Sequence, residues 1–163
     1  MIPVSKLLGD NPSRDYNVPT KGSTVIICDW HGNDYFRTNG DAKADALKKL
    51  IDQVAKKAED ANKKLEKTLE KATEAHGKSD SKGALKHLLK NFKEGVVGLP
   101  AQESSVRLYH EIMDGVRKQA EEMRDNGNEA GLKGLAKDYK GTDVAKDIDE
   151  ALKNVGANPT TQK

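Results

Sequence analysis

The stretch DAKADALKKLIDQVAKKAEDANKKLEKTLEKATEAHG, residues 41–77, decides the fold class of this chain of 163 residues. Neither proline nor glycine occurs between Asp41 and Gly77, and apolar residues recur every three or four positions, as on one face of an α-helix. That face consists of Leu47, Leu50, Val54, Ala58, Ala61, Leu65, Thr68, Leu69, Ala72 and Ala75. The pattern predicts one very long amphipathic helix over about 41–76, with Asp41 as its N-cap and Gly77 just beyond its end.

The length of this helix predicts an elongated architecture. At 1.5 Å per residue it measures roughly 50 Å, whereas a compact domain of this size has a radius of gyration of about 15 Å. The helix should therefore protrude or run the length of an elongated helical bundle. Its alanine-rich half, from Ala55 to Ala75, favours close approach by another helix.

The chain that follows the long helix predicts several shorter helices. Apolar residues keep a helical spacing in four segments separated by glycine-containing or polar breaks, which are residues 83–95, about 102–126, 128–139 and 142–156. With the long helix they form a predicted helical domain over 41–156. The last residues, 157–163, are polar and predict a loose tail.

The chain that precedes the long helix predicts an extended arm and then a small β-hairpin. Prolines at positions 3, 12 and 19 favour an extended arm over residues 1–23. Residues 24–38 read as two strands around a two-residue Gly32-Asn33 turn, which would place Trp30 opposite Tyr35 and Asp29 opposite Phe36. A hairpin of this size is marginal alone in water, so we expect it to dock on helices or on another chain.

The same hairpin contains several residues that could act in catalysis or bind a metal. Cys28, Asp29 and His31 are the catalytic candidates, but Cys28 and His31 would lie on opposite faces of a strand. Asp29-x-His31 could begin a metal site, yet further ligand motifs are missing from the helical remainder. We therefore favour a structural hairpin and predict no metal site and no cofactor.

A second histidine motif lies in the third helix. In YHEIMDG, Asp114 occupies the position where a H-E-x-x-H zinc motif has its second histidine, so His110 and Glu111 predict a solvated polar face.

A run of lysines marks the second helix. Lys78, Lys82, Lys86 and Lys90 recur every four residues with Lys93 close by, and Asp80 is the one acidic residue among them. The stripe predicts an ordinary solvated face, with contact to nucleic acid, an anionic membrane or an acidic protein as alternatives. Arginine is absent from this segment, and the formal net charge of the chain is only +2.

The composition also indicates where in the cell the protein is expected. One cysteine cannot form an internal disulfide, and no apolar run reaches the length of a signal peptide or of a transmembrane helix. We expect a soluble protein that is cytoplasmic where it is made, with export without a cleaved signal or incorporation into a particle as alternatives.

These features favour a non-enzymatic helical binding or assembly protein. It would be a structural or adaptor component of a larger complex, such as a virion or a secretion machine, and would contact a protein partner or a second copy of itself. The candidate interaction residues are Trp30, Tyr35, Phe36, Leu65 and Leu69. One alternative is a small secreted effector or toxin with chemistry centred on residues 25–36, and another is a peripheral nucleic-acid or membrane binder that uses the lysines from Lys78 to Lys93.

Overall fold

The computed structural model describes residues 16–19, 21–40 and 42–155. In this part of the chain the fold is mainly α, with a small hairpin followed by five helices, which confirms the predicted fold class. The elements are β1 (Thr24–Cys28), β2 (Asp34–Asn39), α1 (Ala44–Gly77), α2 (Ser81–Phe92), α3 (Pro100–Asp125), α4 (Glu129–Asp138) and α5 (Ala145–Lys153). Most of the predicted arm, the predicted N-cap Asp41 and the predicted tail lie outside the described residues.

The predicted very long helix is present, and its end differs in detail from the prediction. α1 has 34 residues and includes Gly77 as its last residue. The left-handed residue that follows the helix is Ser79, with φ of 60°. The backbone N–H of Asp80 then donates to the carbonyl of Ala75 at 2.9 Å, and the Asp80 carboxylate accepts from the N–H of Gly83 at 2.8 Å. Asp80 therefore begins α2 as its N-cap directly after α1 ends.

The chain divides into two compact units, Met1–Ala61 and Asn62–Lys163, with the boundary inside α1. The hydrophobic core of the second unit combines residues from all five helices and the segments between them. Its fully enclosed members include Ala72, Leu88, Met113, Leu132, Val144 and Ile148. In the first unit, among the described residues, only Asn33 is buried, and the apolar side chains of β1 are half-buried.

A buried polar cluster joins the first three helices within the second unit. The side-chain amide of Asn91 on α2 donates to the carbonyl of Leu65 on α1 at 3.0 Å and to Ser105 Oγ on α3 at 2.9 Å. Ser105 in turn donates to the carbonyl of Ala101 at 2.7 Å. Asn91 is 2% exposed and Ser105 is fully buried, so the cluster satisfies polar groups that water cannot reach.

Neither α3 nor α5 has a side-chain hydrogen bond at its N-cap. Leu99, the N-cap of α3, makes no side-chain capping bond, and the N–H of Ala101 is bound instead by Asn62 Oδ1 at 3.0 Å. The sequence predicted that the last helix begins near Thr142, but α5 begins at Ala145. Thr142 Oγ1 donates to the carbonyl of Tyr139 at 2.7 Å, so it closes the turn after α4.

Candidate functional site

The hairpin has a different register from the predicted one. Ile27 lies opposite Phe36 and Val25 opposite Thr38, and an irregularity between Ile27 and Cys28 then places Cys28 opposite Asp34. The connection therefore spans residues 29–33 instead of a two-residue turn. The predicted cross-strand pairing of Trp30 with Tyr35 was wrong, because Trp30 lies within this connection.

The Asp29 carboxylate accounts for the longer connection. Its Oδ1 accepts the backbone N–H groups of His31 at 2.9 Å and Asn33 at 3.0 Å. Its Oδ2 accepts Asn33 Nδ2 at 2.8 Å and the Tyr35 hydroxyl at 3.2 Å. Gly32 adopts φ of 87°, a left-handed conformation that glycine takes without steric cost. An aspartate that binds backbone N–H groups two and four residues later is a turn-forming residue, and this local bonding overrides the Gly-Asn turn signal.

The pKa values in the turn agree with a structural role for Asp29. Desolvation raises the pKa of Asp29, but the hydrogen bonds from Asn33, His31 and Tyr35 outweigh it and the net pKa is lowered. Desolvation, together with the charge and hydrogen bond of Asp29, raises the pKa of Tyr35 to about 12. The carboxylate therefore stays ionised and the phenol stays a donor at neutral pH.

The structure does not bring the other catalytic candidates into a reactive arrangement. Burial is the main cause that raises the pKa of the Cys28 thiol, which disfavours the nucleophilic thiolate. The His31 ring packs edge-on against Trp30, with ring centroids 5.3 Å apart. Within the described residues, no group of three His, Cys, Asp or Glu side chains is placed to hold a metal ion.

The candidate interaction residues fall into two environments. Trp30 is 92% exposed, whereas Tyr35 and Phe36 are half-buried. The Phe36 ring lies under the ammonium group of Lys57, which is 4.4 Å from the ring centroid.

The other two candidates, Leu65 and Leu69, lie in the second unit. Leu65 is 1% exposed, and Leu69 packs against the core of that unit. The side chain of Leu65 is therefore enclosed by its own chain.

The H-E-x-x-D segment of α3 has structural partners. Asp114 accepts Arg117 Nη1 at 2.8 Å, and Glu111 lies 3.6 Å from His76 Nε2. Arg117 also binds Asp143 and Asp147, so it joins α3 to α5 and to the segment before it. These contacts are those of a solvent-facing ion-pair network.

The predicted lysine stripe lines an open groove of about 690 Å³ in the second unit. Lys82, Lys86, Lys90 and Lys93 line it from α2 and its C-terminal end, and Lys78 does not. Lys78 instead pairs with Glu74 at 2.6 Å. The other groove-lining residues are Thr68, Lys71, Leu85, His87, Leu89, Tyr109, Asp138, Lys140, Gly141, Thr142 and Asp143.

Two lysines of the groove were missed by sequence reasoning. Lys71 comes from α1 and Lys140 from the segment between α4 and α5, far from the stripe in the sequence. Lys71 belongs to the charged side of α1 and Lys140 to a short connection, so neither carried a local signal that would join it to the stripe.

No match to the chain is found among protein-family models, curated proteins or solved structures. Among the described residues, no helix is long and apolar enough to cross a membrane.

Proposed function

We propose that this chain is a non-enzymatic assembly protein, and that its first unit associates with a second copy of the same chain. The observation that carries the proposal is the weak burial of this unit. Its described apolar residues are at most half-buried, and Trp30 and Ile51 are 92% and 58% exposed. Exposed apolar side chains that form a continuous patch are typical of a surface that another chain covers.

The apolar stripe of α1 supports a contact with a protein surface. Leu47, Leu50 and Val54 are half-buried, and Ile51 lies beside them at helical spacing, which widens the stripe. None of these side chains carries a charge. A patch without charge can meet its own copy without like-charge repulsion, as the two-fold contact of a homodimer requires.

Trp30 supports the same proposal because its position is held by the turn around it. The N–H groups of His31 and Asn33, on either side of Gly32, donate to the Asp29 carboxylate, and these bonds order the connection that presents the indole. A large aromatic side chain on an ordered turn loses little entropy on binding, and tryptophan is enriched among residues that dominate interface energies.

The only tryptophan of the chain provides the test. As protein concentration rises, we expect the emission of Trp30 to move to shorter wavelength and its quenching by iodide to fall, because association removes the indole from water. Light scattering on the same samples should give a mass above the 17.8 kDa of one chain.

A matched pair of variants locates the contact. Ile51→Lys should keep the mass at one chain and leave Trp30 accessible, whereas Val106→Lys, at an exposed apolar position of α3, should behave as the unchanged protein. A mass of one chain at every concentration, or equal effects of both variants, would contradict self-association through the first unit.

A further inference from the structure

We propose that the groove lined by Lys71, Lys82, Lys86, Lys90, Lys93 and Lys140 binds the phosphate backbone of a single nucleic-acid strand without reading its sequence. The site lies in the second unit, and the proposal does not depend on self-association through the first. The groove carries more positive than negative charge, because most of its lysines have no acidic partner among the described residues.

Each acidic residue around the groove already has a partner, and one of these partners, Lys82, is itself a groove lysine. Asp80 caps α2, and Glu94, one turn after Lys90, pairs with Lys64 at 2.6 Å. Asp138 pairs with Lys82 at 2.6 Å. The other acid that lines the groove has partners of its own.

That acid is Asp143, which accepts the Tyr109 hydroxyl at 2.5 Å and Arg117 Nη2 at 3.4 Å. Its hydrogen bond from Tyr109, with a smaller contribution from the charge of Arg117, holds its pKa below the usual value. Asp143 is therefore an ionised acceptor that already has donors.

Five lysines of the groove have no acidic partner among the described residues. They are Lys71, Lys86, Lys90, Lys93 and Lys140. Lysines on an ordinary solvated helix face usually alternate with acids one turn away, which lowers their mutual repulsion. Five unbalanced ammonium groups in one concave surface attract an anionic ligand and raise its local concentration.

The spacing of the lysines fits a linear polyanion. Lys86 and Lys90 are one turn apart, about 6 Å along the axis of α2, and Lys82 to Lys93 covers about 16 Å. At about 3.4 Å per nucleotide in one strand, that length corresponds to about five phosphates. Lysine contacts phosphate as a point charge, so these groups favour a backbone without selecting bases.

The shape of the groove favours a strand over a membrane surface. Lysines line this concave surface from three separate elements, because Lys71 belongs to α1, the stripe to α2 and its C-terminal end, and Lys140 to the segment after α4. A planar bilayer cannot follow a concave surface, whereas a strand can lie within it. Leu89 is 43% exposed in the groove and offers an apolar contact to unpaired bases.

Fluorescence anisotropy with a labelled oligothymidylate of about ten nucleotides tests the proposal, because this length exceeds the five or so phosphates that the lysines of α2 cover. With five lysines, the logarithm of the association constant should fall against the logarithm of salt concentration with a slope of about −3.5. The double variant Lys86→Ala/Lys90→Ala should reduce the slope by about 1.4 and weaken binding about 25-fold at about 0.1 M salt.

The matched control is Lys118→Ala/Lys153→Ala, which removes the same charge from exposed positions that do not line the groove. It should bind as the unchanged protein does, and circular dichroism should show equal helix content in all three proteins. An equal loss in both double variants would overturn the proposal, since binding would then follow total charge. Tighter binding to a duplex, or binding only to vesicles that contain anionic lipid, would overturn it as well.

Discussion

Replacement of Asn91 by alanine should destabilise the second unit by about 2–3 kcal/mol. The change removes two buried hydrogen bonds, to the Leu65 carbonyl and to Ser105 Oγ, and each contributes about 1 kcal/mol. The lost side-chain volume at a site that is 2% exposed adds a smaller packing term. Ser105 still donates to Ala101, so the change leaves no unpaired donor there, and this keeps the expected cost moderate.

Urea unfolding followed by far-ultraviolet circular dichroism measures this loss. The only tryptophan lies in the first unit, so its fluorescence would not report on Asn91, whereas helix content does. With a denaturant dependence of about 2 kcal/mol per molar urea, the midpoint should fall by about 1 M or slightly more.

Two serines of α3 provide a matched control. Ser105→Ala should cost about 1 kcal/mol, because Ser105 loses its bond with Asn91. Ser104→Ala, on the exposed side of the same helix, should change stability by less than about 0.5 kcal/mol. The double variant of Asn91 and Ser105 should be less destabilised than the sum of the two single variants, because both lose the same bond.

The Asn91→Asp variant provides a second test, through the dependence of its stability on pH. The new carboxylate would be buried with an oxygen beside the Leu65 carbonyl, which raises its pKa in the folded state. A raised pKa of an acid makes the variant most stable below the usual aspartate pKa, and stability is lost as pH rises. A midpoint shift below about 0.25 M urea for Asn91→Ala, or an Asn91→Asp variant whose stability does not fall with rising pH, would refute the role given to this cluster.

Two further predictions concern local structure. Asp29→Ala should destabilise the hairpin by about 1–2 kcal/mol, seen as loss of the dispersed amide signals of residues 24–39 in NMR spectra. Since the pKa of Asp29 is lowered in the folded state, the unchanged hairpin should keep its full stability above the usual pKa of 3.8 and lose stability as pH falls further. The Asp29→Ala hairpin is the control, and it should not show this loss in acid. Gly134→Ala has open space in α4 and should raise the melting temperature, because alanine favours the helix by about 1 kcal/mol. Gly83→Ala should give no such rise, because its Cβ would overlap the Asp80 carboxylate that caps α2 and the lost cap costs about 1 kcal/mol, so an equal rise in both variants would contradict this explanation.

The helices were predictable because their signals are local. The apolar spacing after Asp41 predicted α1, and its observed bounds, Ala44–Gly77, differ from the predicted 41–76 by three residues at the start and one at the end. The hairpin was predicted as an element but with the wrong register. Its turn depends on the four hydrogen bonds that the Asp29 carboxylate accepts, and a prediction based on the Gly-Asn pair takes no account of side-chain hydrogen bonds.

The sequence by itself determined the order and type of the elements and the presence of a lysine stripe, because helical periodicity is set by neighbours three and four residues away. Only the tertiary structure decided which lysines meet. In the folded chain, Lys71 and Lys140 line the groove, Lys78 pairs with Glu74 outside it, and the nearby Glu94 pairs with Lys64. The reason is physical: the charge of a surface depends on groups that are close in space, and folding brings together groups that lie tens of residues apart in the chain.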